Sequence, residues 1–435
     1  MLFTKPKKAI GLDIGTHSVK AVQVSRSGGR LCVDEVGYAR VDRNELNANP
    51  VGAHAGAVND ALRPMSVVNS LLVAALPGQT AVIRYPRLNE AARNDMERAI
   101  EREAGQSIPY DLSEVFLDWA VLDEVEEGEQ HQLKVLLVAA KHEIIDSRVQ
   151  IFETADIQCG VLSVDSLSLA DAAECCGFLQ PGETVALIHI GMTSASIHFV
   201  KDGVSNFIRD VNWGSRELIQ AIAKERRCEF EEAEQALRDS VQQDRQMTES
   251  GMADVADVPE ALEAVEGAET AETLEEAPEA LESPGAEEDP FGELGDGGSL
   301  LDPLDEELGG EVSRPAPPAP AAAGPQAGPE QRDLAEVLAQ PLGRMVSEIR
   351  RSFDFYEHQL YERPVDRVLL SGGVAHVPLV RDTLLEELGM DAVEIADPTQ
   401  GQLILGDDIA MGELLERPAQ FMVAIGLAAR GMADL

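Results

Sequence analysis

The sequence contains one short motif twice, and this repeat limits what the chain can fold into. Residues 10–24 read IGLDIGTHSVKAVQV, and residues 186–200 read ALIHIGMTSASIHFV. Each copy has two apolar stretches joined by a few residues rich in Gly, Ser and Thr, a pattern that predicts two strands and a tight turn. A glycine in such a turn lets backbone N–H groups approach an anion closely. The repeat therefore predicts two hairpins, one in each half of the chain, that can hold a phosphate chain from both sides.

The two copies differ at the end of their first strand, where Asp13 in the first copy corresponds to His189 in the second. A carboxylate at this point can hold a hydrated Mg²⁺, because that ion keeps most of its waters and takes few protein ligands. Lys20, on the second strand of the first copy, can neutralise phosphate charge. The alternative for each copy is an ordinary hairpin turn with its glycine at positive φ.

A third motif, LLSGGVAHVP, follows at residues 369–378. It reads as a strand that ends in the paired glycines Gly372 and Gly373, followed by a helix. Paired glycines let the backbone pass close to a flat ligand such as adenosine, and the N-terminus of a helix favours phosphate. After two phosphate hairpins, this loop predicts the remaining part of a nucleotide site.

The charge of the chain is strongly acidic and unevenly distributed. It has 35 Lys and Arg against 78 Asp and Glu, a formal net charge of −43. This excludes nucleic acid or an anionic membrane surface as the main partner. Residues 246–313 contain 22 Asp and Glu and no Lys or Arg. Because such a stretch cannot repay the entropy of ordering, we expect residues 241–332 to be disordered.

The sequence also predicts where the protein resides. Its five cysteines are odd in number and without a CxxC spacing, which is typical of reduced thiols in the cytosol. The basic start MLFTKPKK leads into a predicted strand rather than a signal-peptide core. No apolar run approaches the ~20 residues that span a bilayer. We therefore predict a cytoplasmic protein that does not insert into a membrane.

Helical and strand patterns divide the 435 residues into two domains with insertions. Apolar spacing predicts a helix over residues 56–76, and strands and a helix predict a compact inserted unit over residues 77–147. The predicted parts are the first domain at 1–76 and 148–183, the inserted unit at 77–147, the second domain at 184–240 and 333–435, and the acidic insertion at 241–332.

With the three motifs in this order, the sequence resembles the actin-like ATPase superfamily, which includes actin, Hsp70, sugar kinases and FtsA. The resemblance narrows to the PilM family of type IV pilus assembly proteins. It also rests on the stretches MERAIEREAGQSIPYDLSEVFLDWAVL, VLLVAAKHEII, VLSVDSLSLA, EIRRSFDFYEH and VAIGLAARG. It covers nearly the whole chain except residues 241–332.

The resemblance implies an α/β, actin-like ATPase fold: two RNase H-like domains with ATP and Mg²⁺ in the cleft between them. Residues 77–147 would be the extra subdomain that PilM shares with FtsA. The resemblance also assigns Asp165 to a segment where relatives carry a polar residue near the γ-phosphate. The other positions that it carries over are Asp13 (also the metal ligand), Gly15, Thr16, Ser18 and Lys20 in the first phosphate loop, Gly191, Met192, Thr193 and Ser194 in the second, and Gly372, Gly373 and Ala375 in the adenosine loop.

The resemblance further implies partners. In that family the protein lies at the cytoplasmic face of the inner membrane and binds the N-terminal tail of the membrane protein PilN in a groove beside the extra subdomain. Other pilus assembly proteins are expected as partners, and self-association is left open.

The chain departs from the family pattern in three places. His189 stands where hydrolysing relatives carry Asp, and a neutral imidazole cannot replace a carboxylate as a partner for hydrated Mg²⁺. This favours slow or absent hydrolysis over fast turnover. His17 stands where small hydroxyl residues are usual, and the acidic segment is an insertion into the second domain.

Three functions are compatible with this resemblance. The first is a nucleotide-binding scaffold of the pilus machine, in which ATP alters affinity for the partner tail. The second is a filament protein of the FtsA type, which would carry a basic amphipathic C-terminal helix, whereas this sequence ends in ARGMADL after an apolar helix. The third is a kinase, which needs a base for the substrate hydroxyl, and no Asp motif for one is evident. The first hypothesis fits the sequence best.

Overall fold

The computed structural model describes residues 7–127, 130–241 and 332–433. The acidic insertion predicted for residues 241–332 lies outside the described residues, apart from its first and last residue. The strands are β1 Lys8–Ile14, β2 Ser18–Ser27, β3 Arg30–Arg40, β4 Leu71–Leu76, β5 Ala81–Arg84, β6 Arg87–Asn89, β7 Val115–Glu127, β8 Gln130–Lys141, β9 Val161–Val164, β10 Thr184–Ile190, β11 Ala195–Lys201, β12 Val204–Val211, β13 Arg367–Gly372, β14 Val393–Ile395 and β15 Ile404–Leu405. The α-helices are α1 Arg43–Ala48, α2 Pro50–Leu62, α3 Met96–Ser107, α4 His142–Thr154, α5 Asp165–Cys175, α6 Arg216–Arg226, α7 at residues 230–241, α8 Leu334–Asp354, α9 Pro378–Leu388, α10 Asp408–Glu416 and α11 Met422–Met432.

The sequence repeat corresponds to a repeat of whole sheets. The first sheet has the strand order β15-β3-β2-β1-β4-β9, and the second has the order β12-β11-β10-β13-β14. In each, an antiparallel pair formed by the hairpin is followed by parallel strands on the other side. Strand β10 therefore corresponds to β1, β11 to β2, and β12 to β3. Each hairpin turn lies at the carboxyl end of its central strand, the edge at which α/β proteins bind ligands.

Helix α11 packs directly on the backbone of β1 through small residues. A Cβ added to Gly11 on β1 would lie 1.9 Å from the carbonyl oxygen of Ala424, so only glycine fits there. A Cβ on Gly426 would lie 1.8 Å from the carbonyl oxygen of Ser168, which brings α11 equally close to α5. One hydrophobic core includes both helices and side chains of both sheets. The two halves of the molecule therefore meet on α5 and α11.

A third sheet lies in the inserted unit, between β4 and α4. Strand β8 pairs with β5 and β6 on one side and with β7 on the other. One face of this sheet packs on α3 around Ile100 and Leu137. The other packs against Leu167 of α5 and Ile208 of β12. The inserted unit thus contacts both halves of the molecule.

The helix predicted over residues 56–76 is wrong for its second part. Helix α2 starts after Asn49, whose side chain accepts the N–H of Gly52, and ends at Leu62. Residues Leu71–Leu76 form strand β4, which is paired with β1 and β9 on its two sides. A short apolar run that is buried on both faces gives no periodicity that separates strand from helix, so the sequence pattern was ambiguous here.

The dipeptides Gly28-Gly29 and Asp202-Gly203 are turn signals in the sequence, and the backbone confirms both turns. Gly28 and Gly29 have φ of 59° and 83° between β2 and β3, and Asp202 and Gly203 have φ of 52° and 78° between β11 and β12. Positive φ at both central residues is what a two-residue hairpin turn requires. Among the helices of the described ranges, none is both long and apolar enough to cross a membrane.

Candidate functional site

The first hairpin places an ion pair at the end of β1. Asp13 and Lys20 are opposite each other in the β1–β2 register, and Lys20 Nζ lies 3.1 Å from Asp13 Oδ2. The N–H of Gly15 donates to the carbonyl oxygen of Ser18 at 3.1 Å and closes the turn. Ser18 begins β2 with a buried side chain, so only its backbone can meet a ligand.

The second hairpin has the same backbone and different side chains. The N–H of Gly191 donates to the carbonyl oxygen of Ser194 at 2.9 Å, as in the first turn. His189 is opposite Ser196 where the first hairpin has its ion pair. The side chain of Met192 is half-buried and packs against the core of the second half.

In both turns, glycine relieves steric crowding and does not serve to adopt a positive φ. Neither Gly15 nor Gly191 is among the positive-φ glycines of the described chain. In each turn, an added Cβ would lie 3.1 Å from the carbonyl oxygen of the serine three residues on. The alternative of an ordinary turn with left-handed glycine is therefore wrong at both positions. Equal crowding in two separate turns shows that the sequence repeat is also a geometric repeat.

The two glycines that follow β13 have different roles. Gly372 has a φ of 99°, and an added Cβ would lie 2.1 Å from the carbonyl oxygen of Ile190 on β10, so it is required by the packing of these strands. An added Cβ on Gly373 would meet nothing within 4 Å. Gly373 is therefore the glycine that a flat ligand can approach. Ala375 is buried and, with residues 376–378, lines one wall of a cavity of about 110 Å³.

A hydrogen bond joins this loop to the second hairpin. His189 Nδ1 lies 2.9 Å from Ser371 Oγ, one residue before Gly372. Burial lowers the pKa of His189 to about 4, with Asp13 acting in the opposite direction and Lys20 in the same one. The imidazole is therefore neutral at pH 7. The second hairpin thus supplies no charge to the ligand at the position where the first supplies a carboxylate.

Asp165 is the first residue of α5 and is held by two backbone N–H groups. Its Oδ1 accepts from Gly78 at 2.7 Å and from Ser166 at 2.6 Å. Burial raises its pKa, the negative charges of Asp210 and Asp13 raise it further, and the two hydrogen bonds oppose them. The charge of Asp13 acts on both Asp165 and His189, so Asp13 lies near each of these two side chains.

Sequence reasoning missed a carboxylate on the second sheet. Asp210 lies on β12 opposite Ser196, whose hydroxyl donates to it. An added Cβ on Gly78 would lie 2.4 Å from both carboxylate oxygens of Asp210, so Gly78 fits only as glycine. Burial raises the pKa of Asp210 to about 6. No motif marks this residue, because its role arises from pairing with a strand that precedes it.

Sequence reasoning also missed a buried cation beneath the first hairpin. Arg148 on α4 is 3% exposed, and its Nη1 donates to the carbonyl oxygen of Ile14 at 3.4 Å. Burial lowers the pKa of Arg148 to about 10, while Asp13 and Asp165 oppose that change. The guanidinium remains charged at pH 7 and offsets part of the negative charge of the two carboxylates.

Charged residues connect the two halves at the turn of the first hairpin. His17 Nε2 lies 3.2 Å from Glu234 Oε1 on α7, and Arg40 and Arg238 also pair with Glu234. Burial would raise the pKa of Glu234, but these three residues outweigh it and lower the pKa to about 2. The unusual His17 therefore takes part in a contact between the halves.

The donors present fit a hydrated magnesium ion rather than a directly coordinated metal. Within the described residues, no group of three or more His, Cys, Asp or Glu is placed to hold a metal ion. One carboxylate, Asp13, faces the turn beside Lys20. A single carboxylate together with phosphate oxygens is the usual protein environment of Mg²⁺, which keeps several of its waters.

Comparison with known proteins agrees with this geometry. The sequence matches the family model described as "Type IV pilus assembly protein PilM" over residues 11–249 and 328–432. The structure is similar to the solved "PilM-PilN type IV pilus biogenesis complex", with a TM-score of 0.66, 19% sequence identity, and coverage of 98% of this chain and 99% of that chain. It is also similar to the ethanolamine utilization protein EutJ from Carboxydothermus hydrogenoformans, with a TM-score of 0.46, 11% identity, and coverage of 98% of this chain and 90% of that chain.

Two related sheets, with a hairpin turn at the end of each central strand and a paired-glycine loop after β13, define an actin-like ATPase fold. The inserted unit between β4 and α4 is the further element that the resemblance predicted. The chain belongs to the PilM family of type IV pilus assembly proteins, whose model covers well over half of it.

Proposed function

We propose that this chain is a nucleotide-binding scaffold of type IV pilus assembly, which binds Mg-ATP in the cleft and the tail of a PilN-like membrane protein at the inserted unit. The observation that carries the proposal is the pair of geometrically equal turns at Gly15 and Gly191, which follow Asp13 and His189, two residues close enough for the charge of Asp13 to act on His189, in a chain of the PilM family. Two such turns supply backbone N–H groups to a phosphate chain from both sides.

Each predicted residue has a role in this proposal. Asp13 holds the hydrated Mg²⁺ and Lys20 offsets phosphate charge, while Arg148 supports the turn from below. Gly15 and Gly191 close their turns with their own N–H groups. The backbone of Thr16 and Ser18 contacts phosphate from one half, and that of Met192, Thr193 and Ser194 does so from the other. Gly373 and Ala375 form the adenosine side, with Gly372 fixing their position. Bound Mg-ATP contributes negative charge that attracts both turns.

We propose further that hydrolysis is slow or absent. A neutral His189 stands opposite the carboxylate of Asp13, so one of the two carboxylates that would orient water and metal is missing. Burial and the charges of Asp210 and Asp13 raise the pKa of Asp165, and its Oδ1 is occupied by the N–H groups of Gly78 and Ser166. Bound nucleotide then shifts the equilibrium between two arrangements of the domains, to the extent that its affinity for the two arrangements differs.

The partner follows from the family. The solved complex that this structure resembles contains a PilM and a PilN. We propose that a PilN-like tail binds this chain and holds it at the inner membrane, with further pilus assembly proteins as neighbours and self-association left open. Neither direct membrane insertion nor a nucleic acid partner is part of the proposal. A filament function of the FtsA type is not favoured, since no described feature points to it, and α11 is a buried core helix.

Calorimetric titration tests the proposal directly. The purified full-length chain is titrated with a synthetic peptide of the N-terminal tail of the PilN-like protein from the same organism, with and without Mg-ATP, and a scrambled peptide is the control. We expect saturable binding of the tail and of Mg-ATP. Absence of peptide binding in both conditions would overturn the scaffold function, and absence of nucleotide binding would overturn the role of the cleft.

A further inference from the structure

A chain of four buried or half-buried polar groups joins the three parts of the molecule. His198 Nδ1 on β11 lies 2.9 Å from the carbonyl oxygen of Ser166 on α5. His198 Nε2 lies 2.8 Å from Ser205 Oγ, and Ser205 Oγ lies 2.6 Å from the hydroxyl of Tyr85. Ser166 belongs to the first half, His198 and Ser205 to the second, and Tyr85 to the inserted unit. His198 is 0% exposed, so water does not compete for its hydrogen bonds.

The direction of every hydrogen bond in this chain follows from its chemistry. A carbonyl oxygen only accepts, so His198 Nδ1 must carry a proton. Burial lowers the pKa of His198 to about 4, so the ring is neutral at pH 7 and Nε2 is an acceptor. Ser205 must then donate to Nε2, and its oxygen accepts from Tyr85. Each group in this series of hydrogen bonds therefore donates to the next, from the Tyr85 hydroxyl through Ser205 and His198 to the Ser166 carbonyl oxygen.

The end of this chain adjoins the candidate nucleotide site. Ser166 directly follows Asp165, the site carboxylate at the start of α5. Asp165 in turn accepts the N–H of Gly78, which lies at the entry to the inserted unit. The first turn of α5 is thus connected to the inserted unit at two places, directly at Gly78 and through His198 at Tyr85. A shift of this turn must move the inserted unit or break one of these bonds.

We propose that His198 is a positioning residue that couples the nucleotide site to the inserted unit, so that nucleotide bound near Asp165 changes the affinity of that unit for an extended peptide partner. The inference rests on the proposed function and adds the residues through which the two sites communicate. Coupling between sites in one protein typically changes affinity about 5-fold to 150-fold. We expect the tail peptide to bind at least about 5-fold differently with and without Mg-ATP.

The variant Tyr85→Phe removes the hydroxyl at the start of the chain and keeps the ring. Its matched control is Tyr110→Phe in the same unit, because the Tyr110 ring contacts Lys141 and has no place in the chain. Calorimetry with the tail peptide, with and without Mg-ATP, is run on the full-length wild type and both variants. We expect Tyr85→Phe to bind nucleotide alone and peptide alone within about twofold of wild type but to lose the coupling, while Tyr110→Phe retains it.

Each other outcome of the titration has a definite meaning. Coupling that persists in Tyr85→Phe overturns the inference, and so does wild type that binds both ligands independently, while the proposed function stands in both cases. Failure of wild type to bind either ligand overturns the proposed function itself.

NMR spectroscopy tests these hydrogen bonds directly in the wild-type protein, with a variant needed only for assignment. NMR of ¹⁵N-histidine-labelled protein, with Ser205→Ala used to assign His198, should show a proton on Nδ1 and none on Nε2 from pH 8 to about pH 5. A proton on Nε2 at pH 7 would make His198 a donor to Ser205, so that the hydrogen bonds would no longer run from Tyr85 to Ser166, and it would overturn the inference.

Discussion

The two hairpins of this protein share one backbone geometry but carry different side chains at equivalent positions. In the first sheet, the residues level with the turn are Asp13 on β1, Lys20 on β2 and Tyr38 on β3. In the second sheet, the corresponding residues are His189 on β10, Ser196 on β11 and Asp210 on β12. A carboxylate is therefore present at this level in both halves, but it lies on the central strand in one and on the outer strand of the hairpin sheet in the other.

This difference shows what a duplicated fold retains and what it changes. The crowding at Gly15 and Gly191 is equal, so the turn geometry is retained. The Asp13–Lys20 ion pair has no counterpart, since Ser196 donates to Asp210 instead and His189 bonds to Ser371. One half is therefore equipped for metal and phosphate charge, and the other offers backbone N–H groups and neutral donors. Four sets of substitutions test this contrast.

The largest effect is expected when the second hairpin is given the acid of the first. His189→Asp places a third carboxyl near Asp13 and Asp165, without a cation of its own. An unpaired charge at this depth costs about 3 kcal/mol of unfolding free energy, and the loss should grow as the pH rises above 4, because the unfolded chain ionises more readily than the folded one.

Chemical denaturation of His189→Asp at pH 5, 6.5 and 8, with and without Mg²⁺, measures this effect. The control is His189→Asn, because asparagine has the shape of aspartate without its charge. The unfolding free energy lost in this control should not increase with pH above 6.5. A His189→Asp protein as stable as wild type at pH 8 without Mg²⁺ would mean that the two halves are chemically interchangeable here.

The second effect concerns ligand binding. Asp13→Ala removes the proposed Mg²⁺ ligand and should weaken Mg-ATP binding by about tenfold to a hundredfold, which corresponds to the loss of a charged contact. The matched His189→Ala should change it by less than about threefold, because the neutral ring supplies no charge. Isothermal titration with Mg-ATP compares the two variants. Equal losses would contradict the asymmetry, and unchanged affinity in Asp13→Ala would exclude the proposed role of Asp13.

The third effect concerns the carboxylate on the outer strand. The pKa of Asp210 is raised to about 6, so ionisation is less favourable in the folded protein than in the unfolded chain. Its contribution to stability is largest below about pH 4 and is lost as the pH rises through 6. Asp210→Asn should therefore gain about 1–2 kcal/mol at pH 8 and little or nothing at pH 4. Urea unfolding at both pH values checks this, and an equal gain at both would exclude ionisation as its cause.

The smallest effects are the stability losses of two matched glycine substitutions, which should be equal. Gly15→Ala and Gly191→Ala each place a Cβ 3.1 Å from a serine carbonyl oxygen. Each should lower the unfolding free energy by about 1 kcal/mol or less, and the two losses should agree within about 0.5 kcal/mol. Thermal unfolding of both variants measures the difference. A loss in one variant several times that in the other would show that the turns are alike in the unperturbed protein but differently supported.

Much of the fold could be predicted from the sequence because its signals are local. The repeat at residues 10–24 and 186–200 predicted both hairpins in register, and Asp202-Gly203 predicted a turn that the backbone confirms. Strand β4 was mistaken for helix, because its apolar run LLVAAL is buried on both faces and has no period. The attachment of β15 to β3 had no local signal, since a two-residue strand is too short for one. The predicted domain boundaries remain predictions.

Candidate site residues that belong to a contiguous sequence motif could be predicted. Residues that tertiary packing brings to the site could not. Asp13, Gly15, Gly191 and Gly373 stand in motifs, and the structure gathers them at two turns and one loop. Asp210 and Arg148 have no motif, and reach the site through strand pairing and helix packing. The binding roles of all these residues remain a proposal.

The contact of α11 with β1 and α5 has a mechanical consequence. At Gly11 and Gly426 the elements meet backbone against backbone, with no side chain of the glycine between them. Interlocked side chains would resist relative movement of two packed elements, because each must leave its rotamer before its neighbour can pass. A smooth backbone contact lacks that resistance, so small sliding motions at α11 need few rotamer changes. Substituting alanine for either glycine would place a Cβ within 2 Å of a backbone carbonyl oxygen and force the packed elements apart.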